Sequence, residues 1–259
     1  MRRGVTMIGL LVSMTCMLVL VVLMMEGIQS SGPAVGKGGG KGGGGAAGSA
    51  MGLVDTSNLN QIHQTLRARS TTSGKGFPVP SEQSRDRSLD TSANVWSLMI
   101  AESGIPTNML VSAMDDGWVE VYEHYNESGY DPHNGIYWDA GFSADLDDVS
   151  NVSYAHVPLH GSRKRNWTEM IGMAPSSFPL MGHRGPEDGV ETEDSVTCPG
   201  GVWQGAVVFG DGHVDTLQGV GAFGKGHDNL FMLEDEGGSD AILGFTEVMY
   251  SDGPKLQWD

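Results

Sequence analysis

An uncharged apolar run from Val5 to Met25 constrains this chain more than any other feature. As a helix rising about 1.5 Å per residue, its 21 residues, VTMIGLLVSMTCMLVLVVLMM, would reach about 31 Å, enough to cross the hydrocarbon core of a bilayer. Arg2 and Arg3 precede it and Glu26 follows. The positive-inside rule then places the N-terminus in the cytoplasm and everything after Glu26 outside. Two other readings compete. A cleaved secretory signal also begins with basic residues, but its apolar region usually runs about 7–15 residues, shorter than this one. The small-residue stretch Ala47-Gly48-Ser49-Ala50 lies far from the run. A buried core helix fits poorly with a chain this rich in glycine. The expectation is a single-pass transmembrane helix over residues 5–26.

Charge is unevenly placed behind that run. Residues 1–110 carry nine Lys/Arg and six Asp/Glu, whereas residues 111–259 carry six Lys/Arg against 26 Asp/Glu, a formal −20. Such a field repels nucleic acid and anionic lipid headgroups, and it attracts divalent cations or basic partners. A solvated acidic surface explains it with less. Cys16 lies in the apolar run and Cys198 far beyond it, so no disulfide framework is expected.

Residues 31–52, SGPAVGKGGGKGGGGAAGSAMG, are half glycine. This composition reads as a flexible linker over 27–52, with a root-mean-square span of about 25 Å. Glycine costs about 1 kcal/mol per residue in a helix against alanine, which argues against helix through this stretch. Periodicity then returns. Leu59, Ile62 and Leu66 share one helical face, and the pattern predicts a helix from about 57 to 69. A second is predicted from Ser92 to Ser103, with Val95, Leu98 and Met99 inward and Gly104 as its stop. Strands are predicted at 118–122, 136–138, 152–157, 178–181, 206–209, 213–217 and 242–245. The clearest unit is a hairpin over 206–217 turning at Gly210-Asp211-Gly212. The class is therefore α+β: one or two helices and an antiparallel sheet in a head spanning 53–259. Beyond the strand at 242–245, the last 40 residues carry no assignable signal.

Asp211, His213 and Asp215 alternate, so on extended backbone they would share one face. That arrangement suits a divalent metal, or a carboxylate orienting an imidazole. The simpler reading is that Asp-Gly makes the turn while His213 and Asp215 face solvent, with no cofactor. No G-x-S-x-G or other nucleophile context occurs, and no enzymatic activity is expected. The basic run Arg163-Lys164-Arg165 reads as a solvated loop. The scattered Tyr, Trp and Met residues read as core.

The short leader Met1-Arg2-Arg3-Gly4 before Val5-Thr6-Met7-Ile8-Gly9 resembles the processing site of type IV prepilins and type II secretion pseudopilins. The resemblance implies cleavage after Gly4 by a prepilin peptidase, methylation of Val5, and a membrane helix retained on the mature protein. Gly9 stands where the family usually has glutamate, as in some minor, tip-located members. Val207-Val208-Phe209-Gly210-Asp211-Gly212-His213-Val214 resembles the C-terminal signature of a bacterial prepilin-like group, a histidine followed after nine residues by Asp-Gly. Gly201 occupies the histidine's position, so that residue's role does not transfer. Ser57-Asn58-Leu59-Asn60-Gln61-Ile62, Gly76-Phe77-Pro78 and the segment from Phe178 to Pro186 resemble further phrases of the same group.

The resemblance implies a pilin-like head outside the inner membrane and a structural role as a minor or atypical subunit of a type II secretion or type IV pilus-like apparatus. Its partners would be the membrane, the peptidase and other pilin-like subunits, with no nucleic acid. The Gly-rich linker and Gly9 leave a second reading open, an independent membrane-tethered binding module for calcium or another cation, a polysaccharide or a basic protein.

Overall fold

Leu59, Ile62 and Leu66 do lie on one buried face, each fully excluded from solvent, and the helix that carries them organises the head. The computed structural model describes residues 45–115, 119–168, 175–221, 228–234 and 240–258. The expected leader (1–4), the expected membrane span (5–26) and residues 27–44 of the expected linker lie outside the described residues. No described helix is long and apolar enough to cross a membrane.

Helix α1 (Gly45–Ser73) begins well before the expected start near Ser57. Its first residues belong to the stretch that composition assigned to the linker. Three alanines there, Ala46, Ala47 and Ala50, are the strongest helix formers and offset Gly48 and Gly52. The helix ends at Gly74, whose positive φ of 68° and N–H to the Ser70 carbonyl (2.9 Å) close the last turn. After the short α2 (Pro80–Ser84), α3 (Ser92–Ser103) has the predicted bounds. The Thr91 side chain caps it by accepting from the Asn94 N–H, and Gly104 ends it in the left-handed region.

The sheet is a four-stranded antiparallel meander, β1 (Tyr154–His156), β2 (Pro179–His183), β3 (Gln204–Phe209) and β4 (Val214–Gln218), in spatial order β1-β2-β3-β4. Helix α1 packs across β3 and β4. Strand β3 is buried on both faces through Ala206, Val207, Val208 and Phe209, which explains its unbroken apolar run. Strand β4, at the open edge, alternates less apolar residues and is half exposed.

A separate two-stranded ribbon, β5 (Phe245–Met249) and β6 (Pro254–Gln257), occupies the C-terminal region; the strand predicted at 242–245 meets it only at Phe245, where β5 begins. It joins the meander's edge through a bridge between His156 and Gly244.

Three expectations change. The strands predicted at 118–122 and 136–138 reduce, among the described residues, to isolated bridges at Val119 and Ile136. The described residues hold four α-helices rather than one or two. The fourth, α4 (Gly161–Thr168), contains the basic run read as a solvated loop. Arg163 is fully buried and ion-paired with Asp240, and Lys164 reaches Asp90 at 2.9 Å. Charge alone misled because each cation has a partner distant in sequence. Trp96, Trp167 and Trp203 are core, as expected, whereas Met232 and Tyr250 are exposed against that expectation, and Cys198 is a buried free thiol.

Candidate functional site

The β3–β4 hairpin carries the cluster that the sequence singled out. The Gly212 N–H donates to the Phe209 carbonyl at 2.8 Å, closing the Gly210-Asp211-Gly212 turn. The Asp211 carboxylate accepts from the His213 backbone N–H at 3.1 Å and lies 2.5 Å from His213 Nδ1. Asp215 Oδ2 stands 3.6 Å from His213 Nε2. The imidazole stacks on the Phe209 ring, centroids 4.5 Å apart and planes 5° apart. Burial tends to raise the Asp211 pKa, but the hydrogen bonds from His213 outweigh it and hold the carboxyl below its ordinary range. All three side chains remain 42–61% exposed. The structure thus unites the two sequence readings: the Asp-Gly pair makes the turn, and the same aspartate orients the imidazole. Among the described residues, no three His, Cys, Asp or Glu side chains converge on one point as a metal cage.

Gly212 has a structural task that periodicity did not reveal. Its φ is +92°, and a Cβ built on it would sit 2.5 Å from Cε1 of His63 on α1. The turn is therefore seated directly on the helix. His63 is buried and meets Phe77 edge-on at 5.7 Å. Burial, followed by the Arg67 charge, lowers its pKa, while Asp211 pulls in the opposite direction.

Two buried polar groups were not foreseen. In the first, Arg184 donates from Nε and Nη2 to Asp115 Oδ1 at 3.1 and 3.0 Å, and His183 Nε2 lies 3.6 Å from Asp115 Oδ2. In the second, Asp55 of α1 accepts from Ser112 Oγ at 2.6 Å and from the Tyr154 hydroxyl at 3.0 Å. Burial, and then the Asp55 charge, push the Tyr154 pKa upward. Together the two groups tie α1, β1, β2 and the 110–115 segment. An open groove of about 640 Å³ runs beside them, lined by Val54, Asn58, Met109, Val111, Val119 and Val121 among others, with no charged side chain. Asp55 sits one turn before the apolar stripe on the same helix face, but nothing local marks its partners at 112 and 154.

A serine–histidine pair also occurs. Ser92 Oγ lies 2.8 Å from His156 Nε2, His156 Nδ1 lies 2.7 Å from the Val157 carbonyl, and the Thr246 N–H donates to Ser92 Oγ at 2.8 Å. Nδ1–H therefore donates to the carbonyl and the hydroxyl donates to Nε2, so the pair ties β1 to α3 and β5. Burial pulls the His156 pKa down to about 4 from an ordinary 6.5. Between those values the unfolded chain binds a proton that the folded chain refuses, so stability falls as pH drops. The contribution is complete above pH 6.5 and lost on the way to pH 4, with a size on the order of 3 kcal/mol. Denaturant titrations from pH 7 to 4 should show this slope in the wild type and a shallower one in His156→Gln.

Comparison with family models, with curated proteins and with solved structures finds no match to this chain.

Proposed function

We propose that this chain is a prepilin-like, single-pass membrane protein whose acidic α+β head stands outside the membrane. It serves as a minor or atypical structural subunit of a type II secretion or type IV pilus-like apparatus. The observation that carries this reading is the packing of one long helix near the start of the head, α1, across an antiparallel meander. That arrangement suits a head borne on an N-terminal membrane helix, and the turn that resembles the group's signature is the part seated on α1. The leader Arg2-Arg3-Gly4 before an uncharged run supports the same reading. Gly9, where a paired glutamate would otherwise lie within the bilayer, fits a subunit outside the main filament shaft.

Mass spectrometry of the mature N-terminus, in cells with and without the prepilin peptidase, tests it. The expected product begins at methylated Val5 and depends on the peptidase. An intact Met1 or a start near Met51 in peptidase-containing cells would overturn it. An intact but membrane-bound chain would instead favour the independent tethered module.

A further inference from the structure

We propose that the outer edge of β4 pairs with β4 of a second copy of this chain, antiparallel and centred on Thr216, so that the two meanders continue as one sheet. The argument starts from where the β4 backbone points. The His213 carbonyl accepts from the Phe209 N–H at 3.0 Å, and the Gly219 N–H donates to the Trp203 carbonyl at 2.8 Å. Between them the β3–β4 register runs without a bulge, from Val208 opposite Val214 to Gln204 opposite Gln218. Successive residues of an antiparallel strand turn their N–H and C=O to opposite sides. His213, Asp215, Leu217 and Gly219 therefore face β3, while Val214, Thr216 and Gln218 face away from it. β4 is the last strand of the sheet, and these outward groups have no partner among the described residues. The far edge of the meander differs: there the Gly244 N–H donates to the His156 carbonyl of β1 at 3.2 Å. The devices that commonly blunt an edge, proline, lysine or a bulge, are all missing from β4. What fits such an edge is an extended backbone, whose donors and acceptors alternate in step with its own.

The strand is complementary to itself in one register. About a two-fold axis at Thr216, each Thr216 meets its equivalent and Val214 meets Gln218 in both directions, so every outward N–H and C=O of both strands is paired. Asp215, the one charged residue of β4, then lies opposite Leu217 of the second copy. The neighbouring registers are worse. Centring on Asp215 sets two carboxylates directly opposite, which destabilises a strand pair. It also puts Gln218 against Gly212, whose N–H is already held by the Phe209 carbonyl. Centring on Leu217 puts Val214 against Val220, whose N–H reaches Glu191 Oε1 at 3.3 Å and whose carbonyl accepts from the Leu230 N–H at 3.1 Å. The acidic charge of the head opposes the approach of two copies, so salt should strengthen the contact by screening it. The inference is independent of how the N-terminus is processed.

The test is disulfide trapping of the detergent-solubilised full chain under copper–phenanthroline oxidation. A Cys16→Ser background removes the cysteine of the apolar run, and Cys198 is buried. Residues directly opposite in a hydrogen-bonded antiparallel pair have Cα atoms about 5.5 Å apart, the usual separation across a disulfide. Thr216→Cys should therefore give a covalent dimer. Its yield should exceed that of Gln218→Cys by about tenfold or more, because the two copies of position 218 would lie about 14 Å apart. Both positions are exposed, so the comparison leaves the fold intact. Raising sodium chloride from about 0.05 M to about 0.5 M should increase the Thr216→Cys yield. Adding Gln218→Pro removes an outward N–H and no bond to β3, and should cut that yield severalfold with circular dichroism unchanged. Equal yields at the two positions overturn the proposal, as does a Thr216→Cys dimer indifferent to Gln218→Pro in a folded chain. Absence of any dimer at the higher salt also overturns it, and leaves β4 as a solvated edge or the seat of another protein's strand.

Discussion

Arg184→Leu should destabilise the folded head by about 3–5 kcal/mol, the usual consequence of removing one partner of a buried pair. Arg184 holds both contacts to Asp115 through Nε and Nη2, and both side chains are at most 5% exposed. Without the guanidinium, the buried Asp115 carboxylate is left, among the described residues, with His183 Nε2 at 3.6 Å. Desolvation of that carboxylate, rather than the loss of two hydrogen bonds, sets the size of the effect. For a chain of this length the midpoint of thermal unfolding should fall by about 6–20 °C. The double variant Asp115→Leu/Arg184→Leu should recover most of the loss, since replacing both partners by apolar groups is often close to neutral. Denaturant unfolding of the single and double variants checks both statements. A single-variant cost below about 1 kcal/mol would mean that the pair is solvated, as surface ion pairs are.

That pair shows where the sequence was legible and where it was not. Helix α3 was legible because its signals are local: Val95, Leu98 and Met99 at helical spacing and Gly104 as stop. The hairpin was legible for the same reason, with an apolar run, an Asp-Gly turn and a second strand all within a dozen residues. What failed was non-local. Arg163 and Lys164 look like a solvated charge run until Asp240 and Asp90 are brought to them from distant segments. Asp55 precedes the α1 stripe, yet its burial is intelligible only with Ser112 and Tyr154 in place.

Glycine composition also misled at 45–52, because the propensity cost is spread over residues that include three alanines and precede a helix anchored by tertiary packing. The C-terminal ribbon carries Tyr250, Asp252 and Gly253 in a turn between short strands, a signal too brief to separate from loop.

The β3–β4 turn invites the second large effect. Gly212→Ala should cost about 2–5 kcal/mol, because two penalties fall on one atom. The first is conformational: at a φ of +92° an L-residue's Cβ strains its own backbone by about 1–2 kcal/mol. The second is steric: the new methyl lies 2.5 Å from Cε1 and 2.8 Å from Nδ1 of His63. Relieving an overpacked contact typically costs about 1–3 kcal/mol. His63 cannot swing away freely, since it is 4% exposed and its ring abuts Phe77. The strain therefore has to lift the hairpin off α1 or displace the Phe77 side chain beneath it.

A double-mutant cycle separates the two penalties. His63→Ala removes the obstructing ring, so Gly212→Ala in that background should cost only the conformational part. The two substitutions together should destabilise by clearly less than the sum of their single effects. Full loss in both backgrounds would place the whole requirement for glycine in the backbone.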